Sequence, residues 1–413
     1  MSLYKILQTL TDEGTLFVTL TGSFNEPIEN AEIEVSLTGE PENIIEDLTT
    51  DNNGISNSIS LPAPPISNSL SPGIEQPYSE YNLTIRKTGY LPLAISGVNI
   101  FSSITSNLPI RLTPDNETTN QISTIGPNTL YGNYPPKIPE AEIKPIASSG
   151  EIILQNVVIP EIIVVHDGVP TDSTATNYYV NFTDYIKNVA CSEIYPTWPE
   201  ETIKANVYAI ISFTLNRVYT EWYRNKGYNF TITSSTAFDH KWINNRNFFD
   251  NVSLIVDSIF TEYIARPDVR QPILTQYCDG KRTTCSGMSQ WGSKYLGDEN
   301  FTALEILRNY YGNDIYLNTA EEVEGIPLSW PGYTLEIGSS GLPVRTIQDQ
   351  LVAIRKTYSN IPELIIDGIY GEDTYAAVKK FQEIFGLPAT GDVDYRTWYK
   401  ISQLYVALER LIS

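Results

Sequence analysis

The chain has 413 residues, and its 27 lysines and arginines against 49 aspartates and glutamates leave a formal charge of −22. This length exceeds what one ordinary hydrophobic core holds, so several domains are expected. The acidic excess argues against nucleic acid and anionic lipid as partners, because both would be repelled. A polysaccharide or a protein partner fits this charge better.

Neither an export signal nor a membrane anchor is visible in the sequence. No apolar run reaches the length of a membrane span, and the first residues lack the basic segment and apolar core of a signal peptide. Three cysteines, Cys191, Cys278 and Cys285, are too few for a disulfide framework. We therefore expect no N-terminal signal peptide and no transmembrane helix.

Residues 1–114 alternate apolar and polar side chains in short segments between turn signals. The segments lie between Thr15 and Pro114, and the stretch from Thr50 to Gly54 is a typical turn. This pattern predicts an all-β sandwich. The region contains no catalytic set of residues, so binding, folding assistance or inhibition is its expected role.

Residues 115–150 are poor in apolar periodicity and rich in Asn, Thr, Pro, Ser and Gly. Pro127, Pro135, Pro136 and Pro139 discourage helix formation. The segment is therefore predicted to be an exposed linker. Proteases cut exposed backbone that makes few hydrogen bonds, so activation cleavage is expected here.

Residues 151–325 mix strand and helix patterns, which predicts one α+β domain. Its central stretch, from Asn181 to Arg224, is predicted to form two helices that meet at a turn between Tyr195 and Pro199. Pro199 suits the first position of the second helix, and two glutamates follow it in the favourable first turn.

Glu193 is the unusual residue of the first helix. Tyr185, Ile186, Val189 and Ala190 form an apolar face at helical spacing, and Glu193 is the next residue on that face. Burial disfavours the charged form of a carboxyl group and raises its pKa, which suits a general acid near neutral pH. The same pattern fits a glutamate that rotates outward or bonds to neighbouring backbone.

Several other polar and aromatic residues are candidates for contact with a substrate. Ser289 and Gln290 lie in a glycine-flanked turn, where they either bind sugar hydroxyl and acetamido groups or only stabilise the turn. Asp239 would supply a second carboxylate and so favour hydrolysis. The weaker candidates for substrate binding are Tyr277, Asp239, Tyr195 and Trp198.

Residues 326–413 are predicted to form a small three-helix bundle. Helical apolar faces run from Val344 to Leu351, from Thr374 to Gln382 and from Tyr395 to Leu411, with glycine-rich turns between them. This tail resembles the peptidoglycan-binding domain found at the ends of cell-wall hydrolases. The motifs that carry the resemblance span the module: Gly338-Ser339-x-Gly341, Ile347-Gln348, Asp367-Gly368-x-Tyr370-Gly371, Phe381-Gln382, Gly386-Leu387 and Thr397-Trp398.

The other two regions also resemble known families. Segments 27–31, 50–54 and 81–90 are similar in order to the transthyretin-like, carboxypeptidase-regulatory sandwich. The central region resembles the SpoIID family of lytic enzymes, although residues 207–212 and 279–282 depart from that family's pattern. The matching motifs are residues 185–189, Ser192-Glu193-Ile194-Tyr195-Pro196, Trp198-Pro199, Ser234-Ser235-Thr236-x-x-Asp239 and Gly287-Met288-Ser289-Gln290-Trp291-Gly292.

The order of these modules resembles the SleC-type spore cortex-lytic enzymes. The resemblance implies a zymogen of a lytic transglycosylase that acts on peptidoglycan of the spore cortex, an extracytoplasmic site, after activation by a subtilisin-like Csp protease. Glu193 would be the single catalytic residue: it would protonate the leaving oxygen and then accept the proton of the muramic 6-hydroxyl. No cofactor is implied.

Three alternatives remain open at this point. The chain could be a non-catalytic peptidoglycan-binding wall protein, a muramidase, or an amidase, although an amidase ordinarily needs a zinc site that two histidines hardly provide. Cys278 and Cys285 either pair in a disulfide or join His240 around zinc, as in some SpoIID relatives, and no metal site is predicted. Cys191 fits a small buried residue better than a nucleophile.

Overall fold

A computed structural model of the protein describes residues 11–115, 121–144 and 156–409. Three predictions concern positions outside these ranges. They are the expected absence of a signal peptide, the first predicted strand residues of the central domain at 151–155 and the last residues of the predicted third tail helix. Among the described residues, none of the helices combines the length and hydropathy needed to cross a bilayer.

The N-terminal region is built from β-strands, as the alternating pattern predicts. In strand β1, Leu16, Val18 and Leu20 are fully buried while the residues between them are half-buried. The strands are β1 (Asp12–Thr21), β2 (Glu32–Leu37), β3 (Ile44–Thr49), β4 (Ile59–Ala63), β5 (Ser79–Arg86), β6 (Leu93–Ile100), β7 (Thr105–Arg111) and β8 (Gln121–Thr124).

Two sheets enclose one hydrophobic core in this region. One sheet has the order β3-β2-β5-β6-β8. The other has the order β13-β7-β1-β4, in which β13 (Phe248–Phe249) comes from the central region of the chain. Gly54 in the predicted turn has a φ of 75°, and a Cβ atom there would lie 2.3 Å from the Leu20 carbonyl oxygen, so this turn requires glycine.

The central region combines five helices with short strands. Its longest helix is buried on nearly all sides, which explains why its apolar residues do not form a narrow stripe. The helices are α1 (Phe182–Glu193), α2 (Glu200–Tyr219), α3 (Asp250–Ile259), α4 (Gln290–Asp298) and α5 (Ala303–Tyr311). The remaining strands are β9 (Val158–Ile159), β10 (Ile162–His166), β11 (Asn177–Asn181), β12 (Ile232–Thr233), β14 (Glu262–Ala265), β15 (Tyr277–Cys278), β16 (Met288–Ser289), β17 (Tyr316–Thr319) and β18 (Glu322–Val323).

The segment predicted to be an exposed linker is only partly exposed where the structure describes it: Ile122 and Ile138 are exposed, while other residues pack against the rest of the protein. Residues 121–124 form β8 and pair with β6 in the N-terminal sheet. Asn128 and Leu130 are buried, and Lys144 is 5% exposed. The prolines keep this segment extended, and its polar groups bond to distant side chains, which apolar periodicity cannot reveal. Residues 127–144 are called the strap below.

The tail contains the three predicted helices, α6 (Leu342–Arg355), α7 (Glu372–Ile384) and α8 (Tyr395–Glu409). Gln348 on α6 is buried and bonds to Asp367, Ile369 and Thr374, which ties the Asp-Gly turn to two helices. The tail is packed against the central region, where the rings of Phe260 and Tyr399 lie 5.2 Å apart.

Candidate active site

Glu193 is the last residue of α1, and its side chain is only 4% exposed. Its carboxyl oxygen Oε1 accepts a hydrogen bond of 2.6 Å from the backbone N–H of Lys241. The amide nitrogen of Gln290 donates to the Glu193 backbone carbonyl at 3.1 Å and to Oε2 at 3.4 Å. The carboxyl group is therefore buried, as its place on the apolar face predicts, and held in one orientation.

The surroundings of Glu193 shift its pKa upward. Burial is the largest cause, because it disfavours the charged carboxylate. The positive charge of Lys137, the Lys241 amide and the Gln290 side chain lower the pKa but do not cancel the effect of burial. The Tyr277 hydroxyl also lowers it, although no hydrogen bond of standard geometry joins the two groups. A raised pKa keeps this group protonated further toward neutral pH.

A cleft of about 140 Å³ opens beside the carboxyl group. Its walls come from the strap, from the segment after β15 and from the start of α4, which carries Gln290. A Cβ atom on Gly287 would lie 1.6 Å from the Gln276 carbonyl oxygen, so only glycine lets β15 and β16 approach in this way. This close approach places Tyr277 and Gln290 around Glu193.

The strap forms one wall of this cleft. Thr129 donates its backbone N–H to the Ser192 carbonyl at 3.0 Å and its hydroxyl to the Glu193 carbonyl at 3.2 Å. Asn128 donates to two further carbonyls at the end of α1. These bonds satisfy carbonyls that a helix C-terminus leaves without partners. The Lys137 ammonium group donates to the Asp239 carbonyl and lies 4.8 Å from the centre of the Tyr277 ring.

Ser289 acts on the helix that carries Gln290. Its hydroxyl oxygen accepts a 2.9 Å hydrogen bond from the Gly292 N–H, so it caps the N-terminus of α4. Of the two roles that the sequence left open for this residue, the contact corresponds to turn stabilisation.

Asp239 does not face the cleft. The carboxylate accepts hydrogen bonds from Arg217 Nε at 2.7 Å, from the Tyr223 hydroxyl at 2.7 Å and from the backbone and side chain of Thr233. Both oxygens are thus engaged inside a fully buried ion pair. Asp239 therefore has no access to a substrate. The sequence did not show this, because its partner Arg217 lies on a helix, 22 positions away in the chain.

Tyr195 and Trp198 also lie away from the cleft, although the sequence suggested that they bind substrate. Tyr195 packs on Phe101 of the N-terminal region at 5.5 Å between ring centres. The indole N–H of Trp198 donates to the Ser69 carbonyl at 3.0 Å. Both rings are almost fully buried because the N-terminal region covers the turn between α1 and α2.

Two of the three cysteines, Cys278 and Cys285, form a disulfide. Their sulfur atoms are therefore not free thiolates that could join His240 around a metal. The His240 Nδ1 lies 3.0 Å from the Tyr185 hydroxyl, and its ring stacks on Tyr277. Cys191 is a buried free cysteine whose pKa is raised to about 11 by burial, which suits a structural role.

Sequence reasoning missed Lys137, Arg217 and Asp279. Asp279 lines the cleft, but its carboxylate accepts backbone N–H bonds from residues 281–283. Of these, Lys137 had a signal in the sequence: it is a lysine between prolines in an otherwise uncharged stretch, residues 133–139.

Comparison with known proteins identifies one module of the chain. Residues 340–401 match the family model described as a putative peptidoglycan binding domain. Over 76 residues, the chain is 42% identical to the zinc D-Ala-D-Ala carboxypeptidase of Streptomyces albus G. The matched region covers 18% of this chain and only 28% of that enzyme.

Among solved structures, the SleB N-terminal domain is 30% identical, with a TM-score of 0.16, and the match covers 18% of this chain and 93% of that domain. The Bacillus anthracis TIE protein is 18% identical, with a TM-score of 0.18, over 25% of this chain and 17% of that one. TM-scores this low carry no functional conclusion. The family match covers residues 340–401 and identifies this module of the chain as a peptidoglycan-binding domain.

Proposed function

We propose that the chain is the zymogen of a lytic transglycosylase that cleaves peptidoglycan between N-acetylmuramic acid and N-acetylglucosamine. In this proposal the central region is a SpoIID-like catalytic domain, and the N-terminal region is a transthyretin-like prodomain. The substrate is the spore cortex, and a subtilisin-like Csp protease activates the protein during germination.

The observation that carries the proposal is the buried carboxyl group of Glu193 in a cleft of a chain that also binds peptidoglycan through its tail. A general acid must hold its proton near the working pH, and burial raises the pKa of Glu193 in that direction. The bonds from Lys241 and Gln290 fix the orientation of the carboxyl group.

The number of usable carboxylates favours a transglycosylase over a hydrolase. Hydrolysis by the usual glycosidase route needs two carboxyl groups. In the described part of the chain, the other carboxylate of the cleft, Asp279, is held by backbone N–H groups, and Asp239 is consumed by Arg217. One free carboxyl group suffices when the muramic 6-hydroxyl attacks in place of water.

Glu193 serves both halves of that reaction. It donates its proton to the glycosidic oxygen as the bond to the anomeric carbon breaks, and N-acetylglucosamine leaves as the alcohol. The resulting carboxylate then accepts the proton of the 6-hydroxyl as its oxygen bonds to the anomeric carbon. The products are a 1,6-anhydromuramic end and a regenerated acid.

The strap supports the zymogen part of the proposal. Its Lys137 ammonium group lies close enough to Glu193 to lower the pKa of that acid, and its residues 129–137 line the cleft. In the intact chain the strap therefore stands where a glycan strand would lie. Its removal would open the cleft to a glycan strand.

A second candidate, a non-catalytic peptidoglycan-binding wall protein, is favoured by the same strap. If the strap never leaves, the cleft stays occupied and only the tail acts. An amidase is less well supported, because it ordinarily needs a zinc site that two histidines hardly provide.

Glu193→Gln tests the function directly. We expect wild type that has been cleaved between residues 115 and 150 to release anhydromuramic ends from peptidoglycan, detected by mass spectrometry, and the variant to lose at least about 100-fold in rate because the general acid is gone. Glu200→Gln is the matched control, since the same change is made at an exposed side chain on the neighbouring helix. Anhydro products from Glu193→Gln at the wild-type rate would exclude the assignment, and intact glycan with every variant would favour the wall-binding protein.

A further inference from the structure

The second half of the strap lies extended in a groove of the central region. The Ile138 N–H donates to a backbone carbonyl at 2.7 Å, and its own carbonyl accepts from a glutamine side chain at 2.8 Å. Further along, the Glu142 carbonyl accepts a backbone N–H at 2.8 Å. The groove residues that make these bonds, and a reciprocal pair with Lys144, are Ala237, Gln276, Leu274 and Gln271. The groove thus recognises the main chain of an extended peptide.

Two arginines hold carboxylates of the strap in the same groove. Arg217 grips Glu140 with both terminal nitrogens, at 2.9 and 2.6 Å. Arg266 grips Glu142 through Nε and Nη2. A guanidinium group presents parallel donors that match the two oxygens of a carboxylate, so both contacts are specific for this chemical group.

Arg217 has unfilled hydrogen-bonding capacity at this position once the strap is gone. The side chain has no exposure, and Asp239 balances its charge but engages only its Nε. Without Glu140, the two terminal nitrogens would retain one contact, between Nη2 and the Phe238 carbonyl. Buried donors without acceptors are unfavourable, so an occupant that replaces the strap is favoured when it brings acceptor oxygens, and a carboxylate matches the two nitrogens best.

The groove begins beside Glu193. The strap passes from Lys137, which contacts the Tyr277 ring at the cleft, directly to Ile138 and Glu140. Gln276, which binds the strap main chain, precedes Tyr277 in the sequence. At about 3.3 Å per extended residue, the eight strap residues 137–144 cover a path of roughly 25 Å that leads away from the acid.

We propose that this groove is the binding site for the peptide portion of the substrate: an extended peptide that carries carboxylates, such as the stem peptide attached to muramic acid. In the intact chain, Glu140 and Glu142 occupy the two carboxylate positions. The inference rests on the proposed function, since it takes the glycan to be cut at Glu193, and it adds the group that the enzyme recognises beside the cut.

The test uses the full chain with the groove freed from its own carboxylates. Glu140→Gln with Glu142→Gln removes the two anions that compete with a ligand for Arg217 and Arg266, which weakens the hold of the groove on the strap. A second variant replaces residues 137–144 with eight glycine and serine residues, in case the first unfolds, and thermal unfolding checks both. Glu363→Gln is the control, because it breaks an exposed arginine–glutamate pair in the tail.

The probe is a muramoyl tripeptide with free carboxylates, compared by calorimetry with the same molecule amidated. We expect the two groove variants to bind the free acid at least about tenfold more tightly than wild type or Glu363→Gln binds it. We also expect them to bind it at least about tenfold more tightly than they bind the amidated probe, since one charge-assisted pair provides that much. Equal binding of acid and amide, or no binding by either groove variant when the protein is folded, overturns the proposal.

A separate readout distinguishes this inference from the proposed function. Adding Glu193→Gln to each groove variant should abolish anhydro products and leave peptide binding unchanged. Selective acid binding without any anhydro product from the cleaved wild type would reject the transglycosylase and keep the groove. Anhydro products without selectivity between acid and amide would reject the groove and keep the transglycosylase.

Discussion

Glu193 is buried and Lys137 is half-buried, and their pKa values move in opposite directions for one reason. Burial raises the pKa of the carboxyl group and lowers that of the ammonium group, because both lose solvation in their charged forms. Each charge then partly offsets the effect of burial on the other. Lys137 on the strap therefore holds the pKa of Glu193 below the value that burial alone would give.

The raised pKa of Glu193 makes a prediction about stability. Between its ordinary value of 4.5 and the raised folded value, the folded chain binds more protons than the unfolded chain, so the free energy of unfolding falls as pH rises through this window. Glu193→Gln removes that fall. We expect the free energy of unfolding of the variant to rise relative to that of wild type between about pH 4.5 and pH 8. The relative rise is about 1.4 kcal/mol for every tenfold difference in proton affinity between the folded and the unfolded chain. Denaturant unfolding at both pH values measures it, and a pH-independent difference would contradict the assignment.

Gln290 is predicted to position the acid and tune its pKa. Gln290→Leu removes the donor to Oε2 and to the backbone carbonyl of Glu193, so the rate of glycan cleavage should fall about tenfold or more. The pH at which activity declines should rise, because this donor lowers the pKa of Glu193. Ser289→Ala is the control: it removes a helix cap worth about 1 kcal/mol, and the pH profile should stay in place. Identical changes of the pH profile in both variants would assign Gln290 a structural role only.

At the scale of elements, the contact between β13 and β7 joins the central region to the N-terminal sheet. Phe248 and Phe249 pair with Asn107 and Ser106, which extends that sheet by one strand. The loop that leads into β13 also carries Lys241, whose N–H holds Glu193. The N-terminal region therefore contacts two segments beside the site: the loop that carries Lys241 and the turn around Trp198.

Asn247→Ala tests this junction. The Asn247 side chain exchanges two hydrogen bonds with the backbone of Asn99, and both groups are buried. Removing it takes one partner from the buried Asn99 N–H and leaves the Asn99 carbonyl with the Ser106 hydroxyl, so the free energy of unfolding should fall by about 1–3 kcal/mol. Asn57→Ala, at an exposed position of the same region, should change it by less than about 0.5 kcal/mol. Equal effects in chemical unfolding would show that the junction contributes nothing particular.

At the scale of the whole molecule, the strap runs from the N-terminal region across the cleft and the groove of the central region. It leaves the N-terminal sheet at β8, closes the end of α1 with Asn128 and Thr129, and then fills the groove. Its two glutamates supply counter-charges for Arg217 and Arg266. Burial raises the pKa of Glu140, but its cationic partners Arg217 and Lys144 outweigh it and bring the value to about 2.

Limited proteolysis tests the activation step. Because residues 127–144 are held by hydrogen bonds and ion pairs, we expect the first cut to fall between Asp115 and Gly150 but outside this strap, and cleavage to raise glycan-degrading activity. N-terminal sequencing and product analysis measure the two effects. A first cut elsewhere, or unchanged activity after cleavage, would reject the strap as the inhibitory element.

Local patterns in the sequence were enough for several features. The spacing from Tyr185 to Ala190 places Glu193 on a buried face, because helix geometry puts residues three and four apart on one side. The turn motifs of the tail predicted the domain that the family match then confirmed. Alternation predicted the strands around Leu16, Val18 and Leu20.

What the tertiary structure decided depends on residues far apart in the chain. The strap resembles an exposed linker until Arg217 and Arg266 are seen beside it, 77 and 124 positions after their partners Glu140 and Glu142. Asp239 resembles a second catalytic carboxylate until its ion pair with Arg217 is seen. The sequence by itself determined where the acid and the glycan-binding tail lie, since both follow from short-range spacing. Which charges are free to act was decided only by the fold, because a counter-charge is defined by distance in space.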